Sequence, residues 1–228
     1  MYIKKIVIAV LLLGLVGMGI FAWYVYDTIF APNTAFNNSE AHVYIPTNAS
    51  FDEVVAELEP LLQDVTSFKV VAEKKEYISN IKPGHFILKP GMSNNDIINT
   101  IRSRNVPIMV KFNNQERLEN LAGHLSRQIE PDSLTLLKVF RDEAFLDSTG
   151  FSKETALGMY IPNTYEFYWN TTASDFRDRM QTEYDRFWNE TRVEKAKALG
   201  LTKNEVLSLA AIVQKETAKV EERPRVAG

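Results

Sequence analysis

Residues 198–228 read ALGLTKNEVLSLAAIVQKETAKVEERPRVAG, and they set the frame for everything before them. Thr202 and Glu205 have the T-x-x-E spacing of a capping box, in which each side chain satisfies a free backbone N–H at a helix start. An apolar run of helical period follows. At roughly 100° per residue with Val206 as zero, Leu209 falls near −60°, Val213 near −20°, Val220 near −40° and Ile212 near −120°. Glu216 falls at about −80°, inside that stripe, whereas Lys203, Ser208, Gln214, Lys215 and Lys219 lie off it. The pattern predicts one helix through Val220 with a carboxylate on its buried face. A buried carboxylate either finds a partner or keeps its proton. Beside a cleft it is a general acid; paired with Lys219 or Arg223 it is a structural ion pair, the commoner case on geometry alone.

The run L-A-A-I-V-Q-K-E-T-A-K-V-E-E-R-P-R-V-A-G is similar to the signature of the endolytic murein transglycosylases, the YceG-like (MltG) family. That signature is roughly L-A-S-I-V-E-K-E-T, a spacer, E-R, then V-A. Ile212, Val213, Lys215, Glu216, Thr217, Glu222, Arg223, Val226 and Ala227 match it. The resemblance implies that Glu216, the acid of K-E-T, is the catalytic residue. Gln214 stands where the family has another Glu, so Glu216 is the carboxylate left in that core.

Upstream, residues 173–198 read as one long amphipathic helix, with Ser174 as cap and Phe176, Met180, Tyr184, Phe187 and Trp188 on one face. Gly200 ends it in the usual C′ position. Residues 156–172, ALGMYIPNTYEFYWNTT, resemble the family's E-G-x-L-x-P-D-T-Y. Gly158, Pro162, Thr164 and Tyr165 match; Leu157 replaces the Glu and Asn163 the Asp. The resemblance implies that Asn163, Thr164 and Tyr165 bind substrate. Tyr160, Tyr165, Phe167, Tyr168 and Trp169 form either a floor under sugar rings or core packing, and packing is the expectation for most of them.

Residues 113–150 read as helical. Asn114 is a cap for Leu118, Leu121, Ala122, Leu125 and Ile129, Pro131 interrupts, and Ser133 to Phe140 starts again. Residues 42–112 read as a small α/β unit: strands at 42–46, 84–89 and 106–112, helices opened by Ser50 with Glu53 and by Ser93, and a short helix over 68–72. K-P-G-H-F-I-L-K-P-G-M-S-N-N-D-I-I is similar to the family's G-x-Y-x-L-x-x-G-M-S, which implies a LysM-like subdomain. Residues 31–41, APNTAFNNSEA, read as a linker.

Residues 1–30 read as a membrane anchor. Lys4 and Lys5 precede Ile6 to Val25, twenty residues without a charge. At 1.5 Å per residue these span about 30 Å, the hydrocarbon thickness of a bilayer. Trp23, Tyr24 and Tyr26 gather at the far end as an aromatic belt, and the lysines place the N-terminus in the cytoplasm with the bulk of the chain outside. A cleaved signal peptide has a shorter apolar core and a small-x-small site, which Thr28-Ile29-Phe30-Ala31 lacks at Ile29.

The organisation expected is therefore α+β: an anchor (1–30), a linker (31–41), a LysM-like unit (42–112) and the mostly helical start of a catalytic domain (113–228). Net charge is −3, which gives no case for nucleic acid, and there is no cysteine to act as nucleophile or metal ligand. His42, His85 and His124 lie far apart without metal-site spacing. No metal or cofactor is expected. Most glycoside hydrolases need two carboxylates. The class implied by the resemblance needs one: it protonates the MurNAc–GlcNAc glycosidic oxygen, then takes the proton of the MurNAc C6 hydroxyl, which closes a 1,6-anhydro ring. Peptidoglycan strands, the membrane and cell-wall synthesis proteins are the partners so implied. The alternative is a membrane-tethered glycan-binding scaffold without catalysis. The family pattern continues past V-A with an N-R-L helix, a Q-x-D-P-T-V-x-Y stretch and a Y-N-T-Y segment absent here, so the catalytic domain is expected to be incomplete and the fragment inactive alone.

Overall fold

A computed structural model describes residues 2–228. By contacts the chain divides into two compact units, Met1–Ile108 with Tyr168–Asn170, and Met109–Phe167 with Thr171–Gly228.

The first unit opens with helix α1 (Tyr2–Phe30), long and apolar enough to cross a membrane by length and composition. The segment after it is pinned as well as connecting. Asn33 N–H donates to the Met92 carbonyl and Gln63 N–H to that of Asn33, both at 2.9 Å, and Ala35 N–H donates to the Leu61 carbonyl at 2.8 Å. Bridges join Pro32 to Ser93 and Thr34 to Leu62. The chain continues through β1 (Ala41–Ile45), α2 (Phe51–Leu58), α3 (Val65–Lys74), β2 (Gly84–Leu88) and α4 (Asn94–Ser103). β1 and β2 pair antiparallel, with Val43 opposite Phe86 and Tyr44 opposite His85. One face of this ribbon alternates inward as Val43 and Ile45, as period-2 patterning requires. The core they join holds Val54, Leu58, Phe68, Val71, Tyr77, Phe86, Leu88, Ile97, Ile98 and Ile101.

Helix starts are set locally. Both halves of the Ser50–Glu53 and Ser93–Asp96 capping boxes are made. Helix α3 is longer than the span 68–72 expected, because Asp64 accepts from Thr66 and Ser67 N–H and opens it earlier. Two of the three histidines come together. His42 Nδ1 lies 2.7 Å from His85 Nε2, their rings stack at 5.0 Å, and Tyr44 stacks on His85 at 4.7 Å. The buried His85 donates from Nδ1 to the Val106 carbonyl at 3.1 Å, so its Nε2 is left to accept from His42. Burial pushes the His85 pKa down, and the neighbouring His42 acts in the same direction.

The second unit begins with β3 (Ile108–Phe112), then α5 (Leu118–Leu125), α6 (Ser133–Phe140), α7 (Glu143–Thr149), β4 (Asn163–Phe167), α8 (Ala173–Phe187), α9 (Glu190–Ala198), α10 (Lys203–Glu216) and α11 (Arg223–Val226). β3 and β4 form a two-stranded sheet. Aromatic side chains dominate the core. Phe140 meets Tyr160 at 4.6 Å and Phe176 at 6.1 Å, and Phe167 meets Phe176 at 4.8 Å. Such pairs add to their area burial in favourable tilted geometry.

Three local expectations fail here. Asn114 does not cap α5, whose N-cap is Arg117; its side chain donates instead to Gln214 Oε1. Residues 173–198 are two helices, because Trp188 leaves helical geometry and Asn189 caps a new one by accepting from Arg192 N–H. The cap of α8 is Thr172 rather than Ser174. Gly200, at φ 71°, does terminate α9, and Leu201 N–H reaches back to the Ala196 carbonyl at 3.0 Å.

Candidate active site

Helix α10 carries the signature. Its capping box is complete: Thr202 accepts from Glu205 N–H at 3.2 Å, and the Glu205 carboxylate accepts from Thr202 N–H at 2.7 Å. The helix stops at Glu216. Thr217 is extended, at φ −144° and ψ 132°, so Val220 is not on the helical stripe.

The buried face also differs from the one the periodicity predicts. Leu209 is 42% exposed and Ile212 58% exposed, while Leu207, Val213 and Thr217 face inward or half-inward. Glu216 lies on the exposed side. The reason is the partner surface. α10 packs on the short 3-10 turn at Ala156–Met159, and a Cβ on Gly158 would sit 3.1 Å from Leu207 Cδ1. The motif glycine leaves room for this approach, since a Cβ there would make the Leu207 side chain give by a few tenths of an ångström, and the approach selects the Leu207 side of α10.

Three signature residues around Glu216 are engaged, Lys215, Thr217 and Glu222. Lys215 forms an ion pair with Glu116, and this bond holds the Glu116 carboxyl below its ordinary pKa. Thr217 is buried; its hydroxyl donates to Glu222 at 2.9 Å and accepts from Lys219 N–H at 3.1 Å. Glu222 also pairs with Lys219 at 3.2 Å. Thus K-E-T and E-R are tied through Thr217 and Glu222. Among the described residues Glu216 makes no hydrogen bond or ion pair, and its carboxylate faces solvent beside Ile212 and Leu209.

The second motif forms β4 and the turn before it. Tyr165 is turned inward, ringed by Phe112 at 5.8 Å and Phe167 at 6.5 Å, and its hydroxyl donates to the Ile161 carbonyl at 2.6 Å. Burial raises the Tyr165 pKa. Asn163 and Thr164 are exposed, with Asn163 Oδ1 accepting from Thr164 N–H at 2.8 Å. Of the aromatic run, Tyr160, Tyr165 and Phe167 pack in the core and Tyr168 is exposed.

The Leu207 and Gln214 side of α10 borders a cavity of about 340 Å³. Asn113, Asn114, Gln115 and Gln214 bring side-chain amides to it, over Tyr160 and Leu157. Glu216, Asn163, Thr164 and Tyr165 are not among its lining residues. The sequence missed this amide-lined hollow, since Asn114 and Gln214 lie a hundred residues apart and read separately as a helix cap and an off-stripe position.

The sequence profile of the YceG-like family matches residues 43–228. Two curated relatives, the endolytic murein transglycosylases of Streptococcus pneumoniae strains D39 and R6, are each 26% identical over 90% of this chain. The chain spans 42% of the length of each of these relatives. A YceG-like protein from Listeria monocytogenes has a solved structure similar to this one, with a TM-score of 0.50 and 19% identity over 82% of this chain and 67% of that one. With the family profile covering both units and the K-E-T and P-N-T-Y motifs, the chain belongs to the YceG-like family.

Proposed function

We propose that the chain belongs to a membrane-anchored lytic transglycosylase of peptidoglycan, and that Glu216 is its acid and then its base. The observation that carries this reading is the state of the signature. Lys215, Thr217 and Glu222 are committed to one another or to Glu116, and Glu216 is the signature carboxylate held out at a helix end without a partner among the described residues.

A solvent-facing carboxyl at a fixed point can reach a glycan laid across α10. In the proposed reaction the Glu216 carboxyl protonates the glycosidic oxygen between MurNAc and GlcNAc as the C1–O bond breaks. The resulting carboxylate then accepts the proton of the MurNAc C6 hydroxyl as its oxygen bonds to C1. Atoms balance without water. The nucleophile is tethered to its own electrophile, which removes an entropic barrier of about 7 kcal/mol or more in well-oriented cases. One carboxyl is enough because its two proton transfers are sequential; a hydrolase would need a second carboxyl to activate water.

Membrane attachment through α1, with the bulk of the chain outside, belongs to the same proposal. It is supported by the length and composition of α1 and by Lys4 and Lys5 at its start. The region 42–112 is proposed as the LysM-like subdomain, Asn163 and Thr164 as exposed substrate contacts, and Tyr165 as the residue that fixes their turn. Digestion of purified glycan strands by the chain joined to a relative's downstream segment tests the reading. Products ending in 1,6-anhydro-MurNAc support it. Reducing ends would show hydrolysis, and intact strands bound without cleavage would favour a tethered scaffold.

A further inference from the structure

Helix α3 does not stand clear of α1; it descends beside it. At the top, Asn33 clamps the start of α3, accepting from Asp64 N–H at 2.7 Å and donating to the Asp64 carbonyl at 2.9 Å. Lower down, the amide of Asn94, 2% exposed, donates both to the Thr28 carbonyl of α1 at 2.9 Å and to the Ser67 hydroxyl of α3 at 3.0 Å. Asn33 and Asn94 bond each other at 2.7 Å, and Ile29 packs against the core of the unit. Lower still, Tyr24 and Val70 line one cavity of about 250 Å³. The bonds thus tie 33 to 64 directly and 28 to 67 through Asn94, and 24 and 70 line the same cavity.

Tyr24 lies at the end of the apolar stretch of α1, where the hydrocarbon of a bilayer would end. The headgroup layer on each side is about 5–7 Å thick. Ser67 and Thr28 are tied through Asn94; Val70 is three residues past Ser67, about 4.5 Å along α3, and Tyr24 is four before Thr28, about 6 Å along α1, so Val70 stands just on the headgroup side of that level. Val70 is 47% exposed, and the exposed Lys74 follows one turn further along the same face, with Lys69 and Glu73 beside it. An apolar residue flanked by long-stemmed lysines and one carboxylate suits a zwitterionic interface, with aliphatic stems below and charges among the headgroups.

We infer that the outer face of α3, centred on Val70 and Lys74, is immersed in the phospholipid headgroup layer, so that the first unit rests on the membrane in one orientation fixed by Asn33 and Asn94. The inference rests on the proposal that α1 spans the bilayer.

The chain has no cysteine, so Leu15→Cys and Val70→Cys each create one labelling position on an exposed side chain. Each variant of the full chain is spin-labelled and reconstituted into mixed phosphatidylethanolamine–phosphatidylglycerol vesicles. Collisions with oxygen, which concentrates in hydrocarbon, and with a water-soluble nickel chelate report depth, the free label in buffer giving the aqueous limit. The expected result is an oxygen-dominated label at position 15 and, at position 70, loss of most nickel-chelate collisions with a depth among the headgroups. A label at 70 as accessible to the chelate as free label, with 15 still in hydrocarbon, overturns the resting face and leaves the anchor standing. A label at 15 in water overturns both.

Discussion

Helices α4 and α10 begin with the same local code and end in opposite surroundings. Ser93 with Asp96 and Thr202 with Glu205 make the same reciprocal box. Both helices then carry aliphatic residues at helical spacing. In α4 the stripe of Ile97, Ile98 and Ile101 is fully buried. In α10 the stripe of Leu209 and Ile212 is open to solvent with Glu216 at its end. A capping box therefore fixes where a helix starts and says nothing about which face it buries. In α4 the apolar stripe is spent on the core; in α10 the packing is done by Leu207, Val213 and Thr217, which leaves the stripe and its carboxylate available for other work.

The sharpest way to break this contrast is to truncate one isoleucine on each helix. Ile98→Ala should cost about 2–5 kcal/mol of stability in chemical denaturation, because it removes fully buried methylenes and leaves a cavity. Ile212→Ala should fall within about 0.5 kcal/mol of the parent, as exposed substitutions do. Equal costs would mean that α10 is covered on its outer side in solution.

Next in size is Glu216→Gln. In the chain joined to a relative's downstream segment, anhydro-product release should drop at least about a hundredfold, the lower range for general acid–base catalysis. Its denaturation midpoint should stay unchanged, since an exposed, unpartnered side chain is altered. Undiminished turnover in this variant would remove Glu216 from the mechanism and return α10 to the role of scaffold.

Smaller effects test the shared feature. Ser93→Ala and Thr202→Ala should each cost about 1 kcal/mol, the ordinary worth of an N-cap. Similar costs would confirm that the cap is local, and a much larger cost at Ser93 would show that it is coupled to the buried stripe. Smallest is the pH response. The Asp96 carboxyl is held below its ordinary pKa by the Ser93 hydroxyl, and that of Glu205 by the Thr202 backbone N–H and then its hydroxyl. A carboxyl depressed in the folded state adds stability that is present above its unfolded pKa and lost as pH falls through the folded one. Both helix starts should therefore weaken only below about pH 4, and solvent screening keeps each loss small. Backbone amide exchange at 94–97 and 203–206 measures this; weakening between pH 5 and 7 would point to another group, such as the buried His85.

Much of the candidate site was legible because it is written in short motifs. K-E-T, E-R and G-x-x-x-P-N-T-Y could be read directly, and the structure gives several of their residues physical tasks: Gly158 admits Leu207, Thr217 holds Glu222, Tyr165 anchors Ile161. The orientation of α10 was not legible. Its hydrophobic wheel counts Leu209 and Ile212 as inward, yet the facing surface is the turn at 156–159, forty or more positions away in sequence. The break at Trp188 and Asn189 was hidden too, because the apolar face runs across it without interruption and only the Asn189 cap marks the new helix.

Taken alone, the sequence determined what depends on neighbours within a turn or two. It set the caps at Ser50, Ser93 and Thr202, the stop at Gly200, the first two strands to within a residue at each end, the apolar length of α1 and the motif carrying Glu216. Each follows from bonds and sterics spanning about four residues, or from composition along a single element. Tertiary structure alone decided what depends on surfaces meeting across the chain. It joined His42 to His85, locked Asn33 to Asn94 against the end of α1, gathered the amides of Asn114 and Gln214, and turned Glu216 outward. The physical reason is that burial belongs to a pair of surfaces. A periodic stripe says that a helix can bury one side, but which side loses its water is fixed by the shape of the partner it meets.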